Sequence, residues 1–520
     1  MRTGGEFLLG LAMLFIVAVS AAGQQEQDRW AGDAAKTPLT RPAAVVYTKA
    51  NAPSAPKLEE LPLKESISQY GITWTFEKPA RVGQFVTGDY YVVGPVVVKE
   101  VSPRPLFGGE VTDPTGEEQR RFKDRYARNG SVLNLTATGL PGFDSRTQGG
   151  RYNPDAFVRF PVELKPGDAL ISTISLPDAT VRNRMLGPSD HRSVTAVYTA
   201  SVLTCVEKPL PPDAFRPGYC DRMHRKTYLA RNLKREMLLS LKPPASAPNP
   251  EMFARVFERP WIDTVFFGFC APAQNMPQYG REVARAAGMG SLLLLCDYPA
   301  QRKEALLQGM VQAGIDLWSI IEAGGPGWEA FGGHGSGRKW TIVFAGMLLG
   351  DEDMVNPYRK YPNVKFGEDM QTVYGNGWTG AKALYAGHRG IDGEKYSPGW
   401  GLFEHLPPEQ WKAQLGEGYR HCCTSISWVG EALAIRLLKA EKVWNYDAFL
   451  DYCDRWMYED NTEFLKKIQE AKGWTYGPQG SVWDAFVNDM WKMYRTSPGM
   501  PPTDGWKRIP AGVVPAEKRI

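Results

Sequence analysis

The chain has 520 residues, 43% of them hydrophobic and 23% charged, with a formal net charge of +4. That length is more than one ordinary core holds and predicts two domains, and the composition is that of a folded globular protein. The positive charge is small and dispersed, which leaves no electrostatic footprint for nucleic acid as a partner.

Residues 1–22 read as a secretory signal, with Arg2 as the positive start, an apolar run from Phe7 to Val19, and Ser20-Ala21-Ala22 as a small-residue cleavage site. The run is short of the ~20 apolar residues that span a membrane, and no later stretch reaches that length. The mature protein is therefore expected to be periplasmic or secreted, free of the membrane after cleavage; no Cys at the cleavage point offers a lipid anchor. Residues 23–65, rich in Ala, Pro, Gln and Lys, predict a flexible leader followed by an extended arm.

From Gly71 the pattern has period two: Ile72, Trp74 and Phe76 alternate with polar residues, as in a half-buried strand. Further strands are expected over 84–86, 90–98, 132–136, 169–176 and 193–206, divided by the turn sequences TGD, SPRP, GLPGFD and KPGD. Residues 66–206 thus predict an antiparallel β-sandwich. A Pro-rich linker, 207–221, follows. The signal then turns helical, over 225–241 (Leu229, Leu233, Met237 and Leu241 at spacings of four), 280–296, 303–322, 336–349, 424–439, 446–457, 462–471 and 481–494. Helices recurring at similar intervals predict helical hairpins in a ring, an incomplete (α/α) toroid over 222–500, with 501–520 as a C-terminal tail. The long loops over 356–410, full of Gly, Pro, Trp and Tyr, have the length of binding loops.

The seven cysteines cannot all pair within one chain. An exported protein permits disulfides, and Cys205 with Cys220, across a Pro-rich loop, is the first expected bridge, with Cys270–Cys296 the second. Adjacent Cys422 and Cys423 are expected to pack, or to pair with distant partners.

Three helix entries share a style. Ala273-Gln274-Asn275-Met276-Pro277-Gln278-Tyr279-Gly280-Arg281 leads into an Ala/Leu-rich helix, and Gly332-Gly333-His334-Gly335-Ser336-Gly337 into an apolar one, with Ser336 as the expected N-cap. Glu417-Gly418-Tyr419-Arg420-His421-Cys422-Cys423 leads into the third. Arg338 and Lys339, with His334, stand near the positive end of a helix dipole, which describes either an anion-receiving site or a solvated Arg-Lys pair. In a ring of antiparallel hairpins the inner helices run the same way, so these entries meet at one mouth. It would hold His334, His421, Tyr279, Tyr419, Arg281, Arg338 and Arg420, with hardly a carboxylate beyond Glu417.

That set suits one chemistry better than another. A glycoside hydrolase needs two placed carboxylates. A lyase acting on a uronate needs a positive or amide group on the C5 carboxylate, a His or Tyr base for the C5 proton, and an acid, often Tyr, for the leaving oxygen. His388 in Tyr385-Ala386-Gly387-His388-Arg389-Gly390 rivals His334, and Tyr374 and Asn376 in VYGNGW are further substrate-binding candidates. Trp378, Trp400 and Trp411 are either sugar-stacking faces or core. His405 is a weaker candidate, and His191 and His224 read as structural. No cofactor is expected and no metal: His421-Cys422-Cys423 lacks zinc-ligand spacing, and Asp351-Glu352-Asp353 reads more simply as a polar helix end than as a calcium site.

On these residues the chain resembles the secreted bacterial (α/α)-toroid polysaccharide lyases, the alginate and glucuronan lyase type with an added β-sandwich domain, over about residues 220–500. The resemblance implies β-elimination on an acidic polysaccharide. It implies His334 as neutraliser or base, Tyr419 as base or acid, and Asn275, Arg338 and His421 as supporting groups. The alginate-lyase pattern has Asn directly before its His; Gly333 stands there in this chain, so neutralisation would pass to Asn275, Arg338 or another group. Two other readings stay open: a toroid hydrolase using Glu404, Asp392 or Glu394, and a glycan-binding protein without catalysis.

Overall fold

The computed structural model describes residues 43–107, 128–137, 143–144, 153–175, 197–264, 272, 275–277 and 280–519. The signal segment, His191, Cys270 and Tyr279 lie outside them. The architecture is mixed, a curled half-barrel sheet followed by a helical region.

The sheet contains β1 (Leu63–Gln69), β2 (Ile72–Gln84), β3 (Tyr90–Val93), β4 (Val96–Ser102), β5 (Ser131–Leu133), β6 (Val162–Leu164), β7 (Ala169–Ser175) and β8 (Val197–Val206). Their order is β5-β7-β8-β3-β2-β4-β6, with β1 paired to β2; every pairing is antiparallel except β3 with β8. The expected strand over 90–98 is two strands, because Pro95 interrupts the ladder. Ile72, Trp74 and Phe76 are buried as their alternation predicts, inside a core shared with Val92, Val98, Leu170 and Leu203. The opposite faces of β7 and β8, with Ile171, Ala200 and Val202, join the helical core. One sheet therefore serves two cores.

Among the described residues seven helices reach ten residues: α1 (Gly280–Leu294), α2 (Ala300–Glu322), α3 (Arg338–Leu349), α4 (Ser425–Leu437), α5 (Asp447–Tyr458), α6 (Thr462–Lys472) and α7 (Ala485–Tyr494). None is long and apolar enough to cross a membrane. In α3 every residue from Arg338 to Leu348 is buried, as its all-round apolar sequence requires. Gly288 of α1 and Gly430 of α4 bring those two backbones together; a Cβ on Gly288 would stand 2.8 Å from the Glu431 nitrogen. The periodicity of 225–241 does not produce a helix. Only the short 3-10 turns Ala230–Asn232 and Arg235–Met237 form there, since Asp213 and the α3 terminus engage the backbone (Ala230 and Lys234 donate to Asp213 and Leu348).

The expected linker is not a linker. Residues 213–221 are buried between sheet and helices. Arg216 donates from Nε to Asp89 in the β2–β3 turn (2.9 Å) and from Nη2 to Asp316 on α2 (2.6 Å), while Gln312 binds both its backbone N–H and its carbonyl. The arm before β1 is docked on α2, where Gln308 donates to the Val45 carbonyl. The expected Cys205–Cys220 bridge is absent: both thiols, like Cys296, are buried and free, and Cys205 instead points at the Leu164 carbonyl within the sheet. Cys422 and Cys423 are joined to each other.

Breaking the Arg216 pair leaves two buried carboxylates facing each other. Arg216→Ala is expected to cost about 3–5 kcal/mol in urea denaturation at pH 8. Burial already lifts Asp316 to about 6, so protonation at pH 5 relieves part of the repulsion and the loss is smaller there.

Candidate functional site

The three helix entries do meet. A Cβ on Gly280, the first residue of α1, would collide with the carbonyls of Gly333 and His334; a Cβ on Gly333 would collide with the carbonyl of Cys423. Only glycine permits these approaches. Arg281 reinforces them, donating 2.8 Å to the Cys422 carbonyl. The third entry is a short helix, Leu415–Tyr419, running through a π-helical turn, Arg420–Thr424, into α4. Such turns re-aim side chains within a helix and recur at functional sites.

A fourth segment completes the group. The strand pair Thr372–Tyr374 and Ala383–Tyr385 delivers the loop Ala386-Gly387-His388-Arg389 against the His334 loop, where Gly332 N donates to the His388 carbonyl (2.8 Å). Gln371 clamps that loop from below, donating to the carbonyls of Gly387 (3.0 Å) and His388 (3.1 Å). The His388 ring then lies 4.1 Å from Tyr419, 4.7 Å from Phe331 and 5.2 Å from Trp400, centroid to centroid. His334 is 6.0 Å from Phe331, and the Arg389 guanidinium lies 4.2 Å over Phe331 and 5.3 Å from Trp400. His388 is 2% exposed, whereas His334, Arg389, Trp400 and Tyr419, grouped with it, are half-buried.

Burial, and then the charge of Arg389, push the His388 imidazole down to about 4, so it is neutral at physiological pH. Its buried Nδ1 has no hydrogen-bond partner among the described residues. Burial raises the Tyr419 phenol, which stays protonated. Arg389 forms no ion pair among the described residues, and its buried Nε has no acceptor. The fully buried arginines differ: Arg216, Arg420, Arg455 and Arg495 are all paired with carboxylates.

The other sequence candidates lie elsewhere or are already engaged. Asn275 is buried, with Nδ2 on the Arg259 carbonyl (2.9 Å), and holds its own loop. Arg338 is buried on Asp263 (2.7 Å) and on the carbonyls of His334 and Ser336, so it shapes the His334 loop instead of receiving an anion. Lys339 is buried on Asp369 (2.6 Å) and the Trp444 carbonyl. Neither forms a solvated pair. Ser336 is not the N-cap; Gly337 is, and Ser336 accepts from Trp428 Nε1 (3.0 Å). His421 binds buried Glu417 (2.8 Å) and stacks on Tyr476. Tyr374 donates to Asp451 (2.7 Å) and lines a separate polar cleft of about 840 Å³ with Lys439, Lys442 and Arg508. Asn376 is tied to Glu517, and Trp378 stacks on Phe464. Glu404 is locked on Arg455 (2.8 Å) and the Tyr385 N–H, Glu394 accepts from Gly399, and Asp392 faces Lys395. No group of three metal-binding side chains occurs among the described residues. Phe331 and Arg389 were not singled out by sequence; the signal was the cation beside a glycine-flanked histidine.

Beneath the mouth lies a buried acid pair. Glu368 accepts from Gly337 N at the head of α3, and Glu431 of α4, with no partner for either oxygen among the described residues, is raised well above the carboxylate range by burial and then by Glu368.

No family model, curated protein or solved structure matches this chain.

Burial raises Glu368 from its ordinary 4.5 to about 7, so the folded state holds its proton more tightly than the unfolded chain. The stabilisation is complete below 4.5 and is lost as pH rises toward 7. Glu368→Gln keeps the acceptor for Gly337 without the ionisation. Its melting temperature is expected to match the parent near pH 4.5 and to exceed it increasingly up to pH 7; a pH-independent difference would contradict the assignment.

Proposed function

We propose that the chain is an exported lyase that opens a uronate-containing polysaccharide by β-elimination. The observation carrying this reading is the neutral His388 ring 4.1 Å from Tyr419, beside an Arg389 that has no carboxylate partner among the described residues. A guanidinium next to neutral hydrogen-bonding groups favours a ligand carboxylate, because no carboxylate among the described residues competes for it. With the carboxylate on Arg389, and His334 alongside, negative charge developing at C5 is stabilised. His388 then takes the C5 proton, the C4–O bond breaks as the C4–C5 double bond forms, and Tyr419 delivers its proton to the departing oxygen. Half-buried Trp400 offers a wall for the sugar ring.

The finer architecture belongs to the same proposal. The halves of the curled sheet enclose Trp74 and Leu203 as a β-sandwich would, and α1 and α4, whose entries meet, fit inner helices of an incomplete (α/α) toroid. The resemblance is therefore kept at the level of chemistry and layout, with His388 in place of His421 as the second histidine. Of the three carboxylates that a hydrolytic reading would draw on, Glu404 is bound to Arg455.

The test is absorbance at about 235 nm, where the unsaturated product of general acid–base elimination absorbs, during incubation with alginate, glucuronan, ulvan, pectate and glycosaminoglycans. One polymer is expected to give a rise. His388→Ala and Tyr419→Phe should each lower kcat by about 100-fold or more, the usual range for removing a general acid or base. Arg389→Lys should act mainly on KM. New reducing ends without absorbance would overturn elimination in favour of hydrolysis; binding alone would leave a glycan-binding protein.

A further inference from the structure

The third helix entry carries a group that the proposed reaction does not use. Cys422 and Cys423 are joined to each other inside the π-helical turn Arg420–Thr424. The turn closes across both of them: Ser425 N–H donates to the Arg420 carbonyl, and Thr424 Oγ1 to the Tyr419 carbonyl (2.9 Å). A π turn holds one residue more than an α turn, and such turns are rare. A bond between the sulfurs of neighbouring residues closes a small ring through their shared planar peptide unit and restricts the soft dihedrals on either side of it.

This turn abuts the site. Tyr419 stands immediately before it, with its ring 4.1 Å from His388, and a Cβ on Gly332 would collide with that ring. The Cys423 carbonyl meets Gly333, and the Cys422 carbonyl accepts from Arg281 (2.8 Å). Beyond the turn, α4 is held by the close approach of Gly288 and Gly430. A change in the turn therefore passes to Tyr419 and not to α4. Access is selective as well. Cys422 is exposed, whereas the other described cysteines, Cys205, Cys220, Cys296, Cys423 and Cys453, are buried. Burial pushes the Cys205 and Cys296 thiols up to about 12 and those of Cys220 and Cys453 well above the ordinary range, which leaves them protonated and unreactive.

We propose that Cys422–Cys423 is a redox latch on this site: closed, it holds the π turn that seats Tyr419 beside His388, and opened by a dithiol it releases the turn and unseats Tyr419. A thiolate of the reductant attacks the exposed Cys422 sulfur, the S–S bond breaks, and Cys423 leaves as a thiolate that takes up a proton. The second thiol of the reductant then attacks its own sulfur in the mixed disulfide and frees Cys422 as a thiol. The pair gains two electrons and two protons, and the dithiol loses them as it closes into a disulfide. Once the turn sheds its extra residue, the short helix Leu415–Tyr419 rotates against α4 by about 100°, one residue of α-helix. The latch rests on the lyase reading only for its effect on turnover.

Reduction of the full chain with dithiothreitol, without denaturant, tests it, with alkylation and peptide mass spectrometry reporting the state of the pair. Both cysteines are expected to become open to alkylation. The His388 ring signals in the NMR spectrum should shift, because the Tyr419 ring now 4.1 Å away leaves them, and reoxidation should restore them. On a polymer that the oxidised protein cleaves, reduction should lower the rate by about 100-fold, the loss that a misplacement of about 1 Å brings. Cys422→Ser/Cys423→Ser should show the reduced signals from the outset and ignore dithiothreitol; reduction and reoxidation of the parent carry the test if that variant fails to fold. A disulfide that stays closed in excess dithiothreitol would overturn the latch, as would unchanged His388 signals after complete reduction or an unchanged rate in an active protein. His388 signals that shift reversibly in a protein giving no absorbance rise on any polymer would uphold the latch and end the elimination reading.

Discussion

Everything in the helical region hangs on the approach of three backbones that only glycine allows. Gly280 sits on the carbonyls of Gly333 and His334, and Gly333 sits on the carbonyl of Cys423. A side chain at either position would force α1, α3 and the approach to α4 apart and open the mouth. The interior below is equally constrained: α1 and α4 touch at Gly288 and Gly430, and the buried arm of Arg338 ties the His334 loop to Asp263. The site is consequently held by main-chain contact and buried hydrogen bonds, which fix position better than mobile surface groups can.

Electrostatics then separates frame from site. The structure uses many buried cations, and it pairs them: Arg216 joins sheet to helices, Arg455 holds Glu404, Arg495 holds Asp454, and Lys339 holds Asp369. Such pairs offset their own desolvation and leave nothing for a ligand. Arg389 is not paired in this way among the described residues, and neither is Arg225, whose two terminal nitrogens are buried without a partner there. Arg389 lies over Phe331 with a buried Nε that has no acceptor among the described residues, beside an imidazole that burial keeps neutral and half-buried aromatic rings.

Local periodicity carried much of this architecture into the sequence. The alternation of Ile72, Trp74 and Phe76 and the all-round apolar run after Gly337 both pointed to the burial observed. The convergence of the three glycine-bearing entries was legible as well, because similar entries into buried helices imply a common end. What local pattern could not carry was pairing. Arg338 and Lys339 read as anion ligands because their partners, Asp263 and Asp369, are remote in sequence. The run 225–241 has helical spacing, yet tertiary hydrogen bonds hold it in turns. His388 ranked behind His334 because its ring neighbours, Phe331 and Tyr419, come from segments that only the fold brings together. The cysteines show the same limit, since proximity in space, not a Pro-rich loop, decides which thiols meet.

The site depends on a neutral imidazole beside a guanidinium that has no ion-pair partner among the described residues, and the most direct test is an NMR titration of the histidine rings in the free protein, assigned through His388→Gln. The account predicts that His388 stays neutral through pH 6 and titrates near 4. Addition of an oligouronate should shift that midpoint upward, because the carboxylate would offset the charge of Arg389. A His388 that titrates at or above its ordinary 6.5 in the free protein would show that the imidazole is solvated or already paired, and would contradict the account.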